Sequence, residues 1–279
     1  MNNTFGIKRF SLVTGKDFQE NWKWYGLQFL AMFGIIAVVL FLQSESIYRA
    51  IGREDQGALL VWACFLFFGF GIVFASTLME PMRSKTKRTA YLMNPSSNLE
   101  KYVSRWLIVT VGYIIAFFVA LWLADLLRVA IFSIRYPEGE SNMISISRLT
   151  SADCNGNLLF YIKYHFGFLA GLFLFYQSIC VLGSTFWEKA SFVKTFAALT
   201  VIVWVFFLFV RWAILIFYTG LNHFGNVVEY MLYSVFGRNN EISGNNLMMV
   251  MTGVFVFFTL INWTIAFFRF RESEIIKRW

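Results

Sequence analysis

The stretch that decides the fold is WLIVTVGYIIAFFVALWLADLLRVAIFSI, residues 106–134, in which Asp125 and Arg128 are the only charged residues. About 20 apolar residues in a helix cross the hydrocarbon core of a bilayer, so this run predicts a transmembrane helix. The run does not alternate between apolar and polar residues, which argues against a β-barrel strand. Similar runs occur at 24–43, 57–79, 166–187, 195–218 and 247–268. The sequence therefore predicts an all-α membrane protein with six transmembrane helices.

The composition excludes the common soluble classes. Of the 279 residues, 58% are hydrophobic and only 14% are charged, whereas about a quarter of the residues in ordinary globular chains are charged. A cytosolic enzyme, a disordered tail and a secreted disulfide scaffold are all inconsistent with these values. The 3 cysteines cannot form a disulfide framework or a thiolate metal site. We expect a single transmembrane domain over residues 1–279.

The basic residues predict the orientation in the membrane. Most of the 24 lysines and arginines lie in the N-terminal tail, in the loops after the second and fourth spans, and at the C-terminus. Cytoplasmic loops carry an excess of Lys and Arg, so both termini and the long second loop are predicted to be cytoplasmic. The net charge of +8 therefore indicates membrane orientation rather than nucleic-acid binding. The apolar run nearest the N-terminus, 24–43, lacks a signal-peptide cleavage pattern, so we expect it to remain in the membrane.

Two segments outside the spans have helical periodicity. In the tail 2–23, apolar residues recur on one helical face beside basic residues, which predicts an N-terminal interfacial helix at the cytoplasmic headgroups. The alternative is a partly ordered tail. In the outer stretch 219–246, apolar residues again recur at helical spacing, which predicts an amphipathic outer helix before the last span. The tail residues are Ile7, Phe10, Phe18 and Trp22, and the outer residues include Leu221, Phe224 and Val228.

The cytoplasmic loop 80–105 contains a helix-start signal. Pro95 disfavours a helix through Asn94, and Ser97 followed by Glu100 is a capping-box pattern for a new helix that runs into the third span. Just before this signal lie the apolar residues Tyr91, Leu92 and Met93. Their exposure to the cytoplasm would suggest docking onto a partner. The alternative is that they fold back on the bundle.

No catalytic or metal-binding constellation is evident. His165 and His223 are far apart and form no HExxH pair. Thr14-Gly15-Lys16 lacks the first glycine and the final hydroxyl residue of a phosphate-binding loop. The chain is therefore not expected to be an enzyme or to hydrolyse ATP, and we expect no cofactor on it.

A few polar residues lie inside the spans. Arg211 in the fifth span is predicted either to snorkel or to pair with Asp125, or to contact cargo or lipid. Asp125 and Arg128 are three residues apart and can pair with each other. Asn262 and Thr264 are predicted to form interhelical hydrogen bonds. The alternative for Asn262 is a contact with cargo or lipid.

Taken together, these parts resemble the permease subunits of type-2 ABC transporters, the exporter-like class. The order of elements matches over essentially the whole chain. The segment Leu92-x-x-Pro95-x-Ser97-x-x-Glu100-Lys101 is similar to one in permease-like proteins of Bacteroides-type bacteria. The presence of Arg211 has no counterpart in the family pattern.

The resemblance implies two permease copies, or one copy and a similar subunit, bound to separate P-loop ATPase subunits that hold ATP-Mg. It also implies that the second loop is a coupling helix seated in the ATPase groove and that the outer helix rims the exit path. The cargo would be amphipathic or hydrophobic, and it would move outward across a bacterial inner membrane. The residues expected in the coupling loop are Tyr91, Leu92, Met93, Pro95, Ser97, Glu100 and Lys101.

Two other functions are compatible with the spans. A non-transporting membrane scaffold or immunity protein would use the loop 80–105 as an anchor for another partner. A membrane-embedded enzyme would need the catalytic constellation that the sequence lacks. A neighbouring gene for a P-loop ATPase would favour the exporter.

Overall fold

The structure is a computed structural model that describes residues 6–52, 55–82, 85–137, 143–144, 165–187, 191–217 and 241–272. Every regular element within these ranges is helical. The helices are α1 (Ile7–Ile51), α2 (Gln56–Ala75), α3 (Lys85–Leu92), α4 (Asn98–Leu107), α5 (Tyr113–Arg135), α6 (His165–Phe186), α7 (Ser191–Phe217) and α8 (Glu241–Glu272). A 3₁₀ turn (Glu80–Met82) precedes α3, and a π-helical turn (Ile108–Gly112) joins α4 to α5.

Five helical segments among the described residues are long and apolar enough to cross a membrane, and they make the chain a multi-pass α-helical membrane protein. They are 7–50, 56–82, 98–135, 166–186 and 248–272. Helix α7 has 27 residues, but its described apolar part is the shorter segment Ser191–Val205. The count of six spans therefore remains a prediction for the fifth run.

Helix α1 runs parallel to the continuous helix formed by α4, the π-helical turn and α5. At one end Arg9 pairs with Glu100 at 3.4 Å. At the other end the Arg135 guanidinium lies 3.0 Å from the Glu45 carboxylate, and the Tyr48 and Phe132 rings meet edge to face. The first and third predicted spans are thus neighbours that point the same way.

The predicted N-terminal interfacial helix is not a separate element, because residues 7–23 and the first span form the single helix α1. Thr14 and Asp17 face inward and contact Ser104 and Arg105 of α4. Ile7, Phe18 and Trp22 are exposed, as are most of the other polar residues in these turns. This outward apolar face is the one that the sequence pattern predicted, although Phe10 is half-buried. The continuity follows from a tertiary partner: α4 packs along the first turns of α1 and fixes them on the axis of the span.

A second parallel pair is formed by α6 and α8, which pack closely where small residues meet. A Cβ atom added at Gly171 would lie 3.2 Å from Thr252 Cγ2. The Phe175 and Phe255 rings stack with centroids 5.3 Å apart. Helix α2 crosses between the two pairs, because Phe67 of α2 lies against Phe117 of α5 and Phe173 of α6.

Most described basic residues lie at one end of the bundle. Contacts bring together the starts of α1, α4 and α7 with the ends of α6 and α8 at this end, which we call the basic end and which is predicted to be cytoplasmic. For example, Tyr91 packs on Phe270, and Arg269 lies over the ring of Phe186. The segregation of charge seen in the sequence is therefore also a segregation in space.

Two helices do not end or begin where the predicted spans do. Helix α2 ends at Ala75 rather than near Met79, because the Ser76 and Thr77 hydroxyls donate to the Val73 and Phe74 carbonyl oxygens and compete with the helix. Helix α8 begins at Glu241, before the predicted span 247–268. Residues 219–240 of the predicted amphipathic outer helix, 219–246, lie outside the described residues.

Candidate functional site

The strongest local signal in the sequence, the capping box, is present at the basic end. The Ser97 hydroxyl accepts a hydrogen bond from the Glu100 backbone N–H at 3.2 Å, and the Ser97 N–H donates to Glu100 Oε2 at 2.9 Å. These bonds satisfy donors at the start of α4 that have no partner within the helix. Helix α3 ends before Pro95, as predicted, and α4 runs on into the third predicted span.

Glu100 also holds the start of α1. Its Oε1 accepts from the Gly6 N–H at 2.8 Å and lies 3.4 Å from the Arg9 guanidinium. The residue is 0% exposed. Burial raises the pKa of the Glu100 carboxyl, but the hydrogen bonds from Gly6 and Ser97 and the charge of Arg9 outweigh burial and hold that pKa below its usual range. One carboxylate therefore joins the N-terminal ends of α1 and α4.

A buried ion pair continues the contact between α1 and α4. Arg105 lies 2.8 Å from Asp17 Oδ1, and it donates to the Tyr25 hydroxyl at 3.3 Å. The Asp17 Oδ2 atom and the Arg105 Nε atom are buried without a hydrogen-bond partner among the described residues. Burial raises the pKa of Asp17, and Arg105 offsets only part of this effect. Between Glu100 and this pair, the Thr14 and Ser104 hydroxyls share a hydrogen bond.

The ion pair lines a cavity of about 190 Å³ between α1, the 3₁₀ turn, α3 and α4. Its wall combines carboxylates, amines and aromatic rings, so it can bind polar groups of either charge. Within the described residues, no group of His, Cys, Asp and Glu could hold a metal ion. The charged lining residues are Lys16, Asp17, Glu20, Glu80, Lys87 and Arg105.

The predicted coupling-loop residues divide into two groups. Tyr91 turns inward: its hydroxyl donates to the Lys101 carbonyl oxygen at 3.0 Å, and burial raises its pKa. Lys101 and Glu100 are buried. Met93 is 79% exposed, and Pro95 is exposed beside it. The backbone of Leu92 ends α3, but its side chain lies outside the described residues.

Two hydrogen bonds join polar residues of different helices within the spans. The Asn262 amide donates to the Ser178 hydroxyl at 2.9 Å, which confirms the predicted interhelical hydrogen bond between α8 and α6. Thr264 instead donates to the Leu260 carbonyl of its own helix. Gln177 of α6 donates to Thr110 in the π-helical turn at 3.0 Å. Arg211 lies in α7, and its side chain is outside the described residues.

Sequence reasoning did not find Asp17, Arg105 or Thr14 as parts of this site. Each is an ordinary polar residue near the end of an apolar run, where charged side chains are expected on a solvated surface. A signal was present in the amphipathic tail: Asp17 falls away from the apolar face that holds Phe18 and Trp22. A buried charged residue such as Asp17 needs a partner of opposite charge, and Arg105 of α4 is that partner.

The fold defines a class, the multi-pass α-helical membrane proteins, with an ordered polar cluster at its basic end. No protein-family model, no curated protein and no solved structure matches this chain.

We predict that Ser97→Ala destabilises the start of α4 by about 1 kcal/mol, because it removes the side-chain cap. Hydrogen exchange at the amides of residues 98–101 should become faster. Ser96→Ala is the matched control, since the Ser96 hydroxyl is buried without a partner among the described residues. Equal acceleration in both variants would mean that the cap does not hold the helix start.

Proposed function

We propose that this chain is the membrane-spanning subunit of an ATP-driven exporter in a bacterial inner membrane. In this function it pairs with a second permease copy or a similar subunit, and a separate P-loop ATPase subunit binds ATP-Mg. The cargo is amphipathic or hydrophobic and moves outward. The observation that carries the proposal is the unit of α3, the turn 93–97 and α4 at the basic end, which we call the docking unit.

The docking unit is fixed to the bundle on its inner side. The Arg88 guanidinium donates to the Met82 carbonyl oxygen at 2.9 Å, which ties α3 to the 3₁₀ turn. The Tyr91 ring packs against Phe270 of α8 with centroids 6.4 Å apart. Together with the capping box, these contacts give the turn a defined position before any partner binds. Preorganisation of this kind lowers the entropic cost of docking.

The docking unit exposes three apolar residues near its turn. Met93, Pro95 and Leu99 face outward, and Leu99 is 44% exposed. Buried aliphatic and aromatic anchors tend to dominate the energy of a protein interface. Met93, Pro95 and Leu99 are therefore the anchors that we propose for an ATPase groove, whereas Tyr91 holds the unit from inside.

The docking unit can pass a displacement to the spans. Helix α4 continues through the π-helical turn into α5 without a break. The Tyr102 hydroxyl of α4 donates to the Trp263 carbonyl oxygen of α8 at 3.1 Å. Movement of the turn would therefore reach α5 directly and α8 through Tyr102, which is the connection that an ATP-driven permease needs.

We predict that Met93→Ala weakens ATPase association by about 1–2 kcal/mol, a factor of roughly 5–30. The tagged chain is purified from its native membrane, the co-purifying P-loop ATPase is identified by peptide mass, and its binding and ATP turnover are measured. Met249→Ala is the matched control, since Met249 is 56% exposed on α8 away from the docking unit. Both variants should unfold like the native chain.

Two outcomes would contradict the proposal. If no P-loop ATPase co-purifies and another cytoplasmic protein depends on Met93, the chain is a membrane scaffold. If ATPase binding is unchanged in Met93→Ala and in Leu99→Ala, the exposed side of the docking unit is not the coupling surface.

A further inference from the structure

The polar cavity beside Asp17 and Arg105 lies at the predicted boundary of the membrane. Its wall includes residues from the edges of three predicted spans: Trp24 begins the first, Glu80 follows the second and Arg105 precedes the third. Its volume of about 190 Å³ corresponds to roughly six water molecules at ~30 Å³ each. A cavity of this size and position can hold the polar headgroup of a lipid whose chains remain outside it.

The buried part of the cavity wall contains one acceptor and one donor that no other group uses. The Asp17 and Arg105 side chains are 9% and 11% exposed, and they pair through Asp17 Oδ1 and Arg105 Nη2 at 2.8 Å. Asp17 Oδ2 and Arg105 Nε have no hydrogen-bond partner among the described residues. A buried polar atom without a partner costs free energy. A ligand that donates to Oδ2 and accepts from Nε would remove that cost.

The charges around the cavity balance. Among the described residues, three acidic and three basic side chains line it. A ligand with an ammonium group and an anionic oxygen matches this lining better than a single ion does, because each of its charges meets the opposite sign. The lining is therefore complementary to a zwitterion. The acidic residues are Asp17, Glu20 and Glu80, and the basic residues are Lys16, Lys87 and Arg105.

An exposed apolar stripe leads away from the cavity along α1. It begins at Trp24, which lines the cavity and is 46% exposed. Tryptophan is common where lipid meets water, and residues three or four apart lie on one side of a helix. The cavity is therefore next to a lipid-facing surface on which an acyl chain can lie. The exposed residues that continue the stripe are Leu27, Ala31, Ile35, Val38 and Leu42.

We propose that this cavity binds the headgroup of a zwitterionic phospholipid with a primary ammonium group, phosphatidylethanolamine, from the leaflet at the basic end. The ammonium group, like that of lysine, has three N–H donors and donates to Asp17 Oδ2, while a phosphate oxygen accepts from Arg105 Nε. A choline headgroup carries the same charges but has no N–H donor, so it cannot form the first of these bonds. The anchors proposed for the ATPase do not line the cavity, so this proposal does not depend on an ATPase partner.

The need for an N–H donor is tested with the purified full-length chain and four lipids that have identical acyl chains. These are phosphatidylethanolamine, its N-methyl and N,N-dimethyl derivatives, and phosphatidylcholine. Native mass spectrometry should show one retained phosphatidylethanolamine, preferred several-fold over phosphatidylcholine, with the two derivatives between them. Because only the headgroup changes, this series needs no variant of the chain. Equal retention of all four lipids would overturn the proposal.

The position of the site is tested with Asp17→Asn, which should lose the preference because the amide keeps the shape of the carboxylate but not its charge. Glu45→Gln is the matched control: Glu45 also pairs with arginine, but near the opposite end of α1, and this variant should keep the preference. If Asp17→Asn does not fold, Glu80→Gln replaces it, since it removes another carboxylate from the cavity wall. An unchanged preference in the cavity variant, or an equal loss in Glu45→Gln, would contradict the proposal.

The lipid is distinguished from a free zwitterion by adding soluble glycerophosphoethanolamine, which carries the same ammonium and phosphate groups without acyl chains. At the concentration of phosphatidylethanolamine it should not displace the retained lipid, because it lacks the contact with the stripe on α1. Displacement at that concentration would show that the cavity binds a soluble zwitterion and that the lipid proposal is wrong.

Discussion

Replacing Asp125 by leucine should lower the free energy of unfolding by about 3–5 kcal/mol, because it removes the carboxylate that balances a buried arginine. Arg128 is 1% exposed, and its Nε atom donates to Asp125 Oδ1 at 2.8 Å. The second carboxylate oxygen, Oδ2, accepts from the Ile144 N–H at 2.7 Å. The variant therefore loses both the charge balance and the tie to residue 144. Unfolding in mixed detergent micelles measures the change.

The double variant Asp125→Leu with Arg128→Met should recover much of this loss, since a buried ion pair can often be replaced by apolar residues of similar volume. Arg135→Met is the control for a surface pair: Arg135 is half exposed beside Glu45, and its loss should cost about 0–1 kcal/mol. A cost for Asp125→Leu no larger than that of Arg135→Met would show that Asp125 is not the group that balances the charge of Arg128.

The elements of the fold that depend on local composition were predictable. The apolar runs identify the helices, because a segment in lipid must satisfy its own backbone hydrogen bonds, and a helix does so. The capping box at Ser97 was also predictable, because both of its hydrogen bonds join residues three apart. The pairing of Asp125 with Arg128 was predictable for the same reason, since these residues are three positions apart on one face of a helix.

The contacts between distant residues were not predictable from a single sequence. Gly6 and Glu100 are 94 positions apart, and helical periodicity shows which face is apolar but not which helix covers it. For the same reason the sequence does not show that Tyr91 and Lys101 are turned inward while Met93 is exposed. All of these residues belong to the one loop, and the inward position of Tyr91 depends on its contact with Phe270 of α8.

The second large effect should come from Glu100→Ala. The substitution strands the Gly6 and Ser97 N–H donors, at about 1–3 kcal/mol for each donor that remains buried. It also removes the ion pair with Arg9. Because these bonds join α1 to α4, we expect the first turns of α1 to open locally. Hydrogen exchange should rise over residues 7–17 and at the start of α4, while α5 and α6 stay protected.

The same carboxylate should make this contact sensitive to pH. The pKa of Glu100 is lower in the folded chain than in the unfolded chain, so its stabilisation is present above the unfolded pKa of about 4.3. That stabilisation is lost as pH falls through the lower folded pKa. Protection of the first turns of α1 against hydrogen exchange, taken relative to the intrinsic exchange rate at each pH, should therefore fall in acid in the native chain.

The control for both effects is Glu20→Ala, which removes an exposed carboxylate that pairs with Lys16 at 3.7 Å on the same helix. Its cost should be about 0–1 kcal/mol. Glu100→Gln should lower the protection of the first turns of α1 at neutral pH to the level that the native chain reaches only in acid. If Glu20→Ala loosens α1 as much as Glu100→Ala does, Glu100 is not the residue that holds α1 against α4, because any lost carboxylate at this end would then have the same effect.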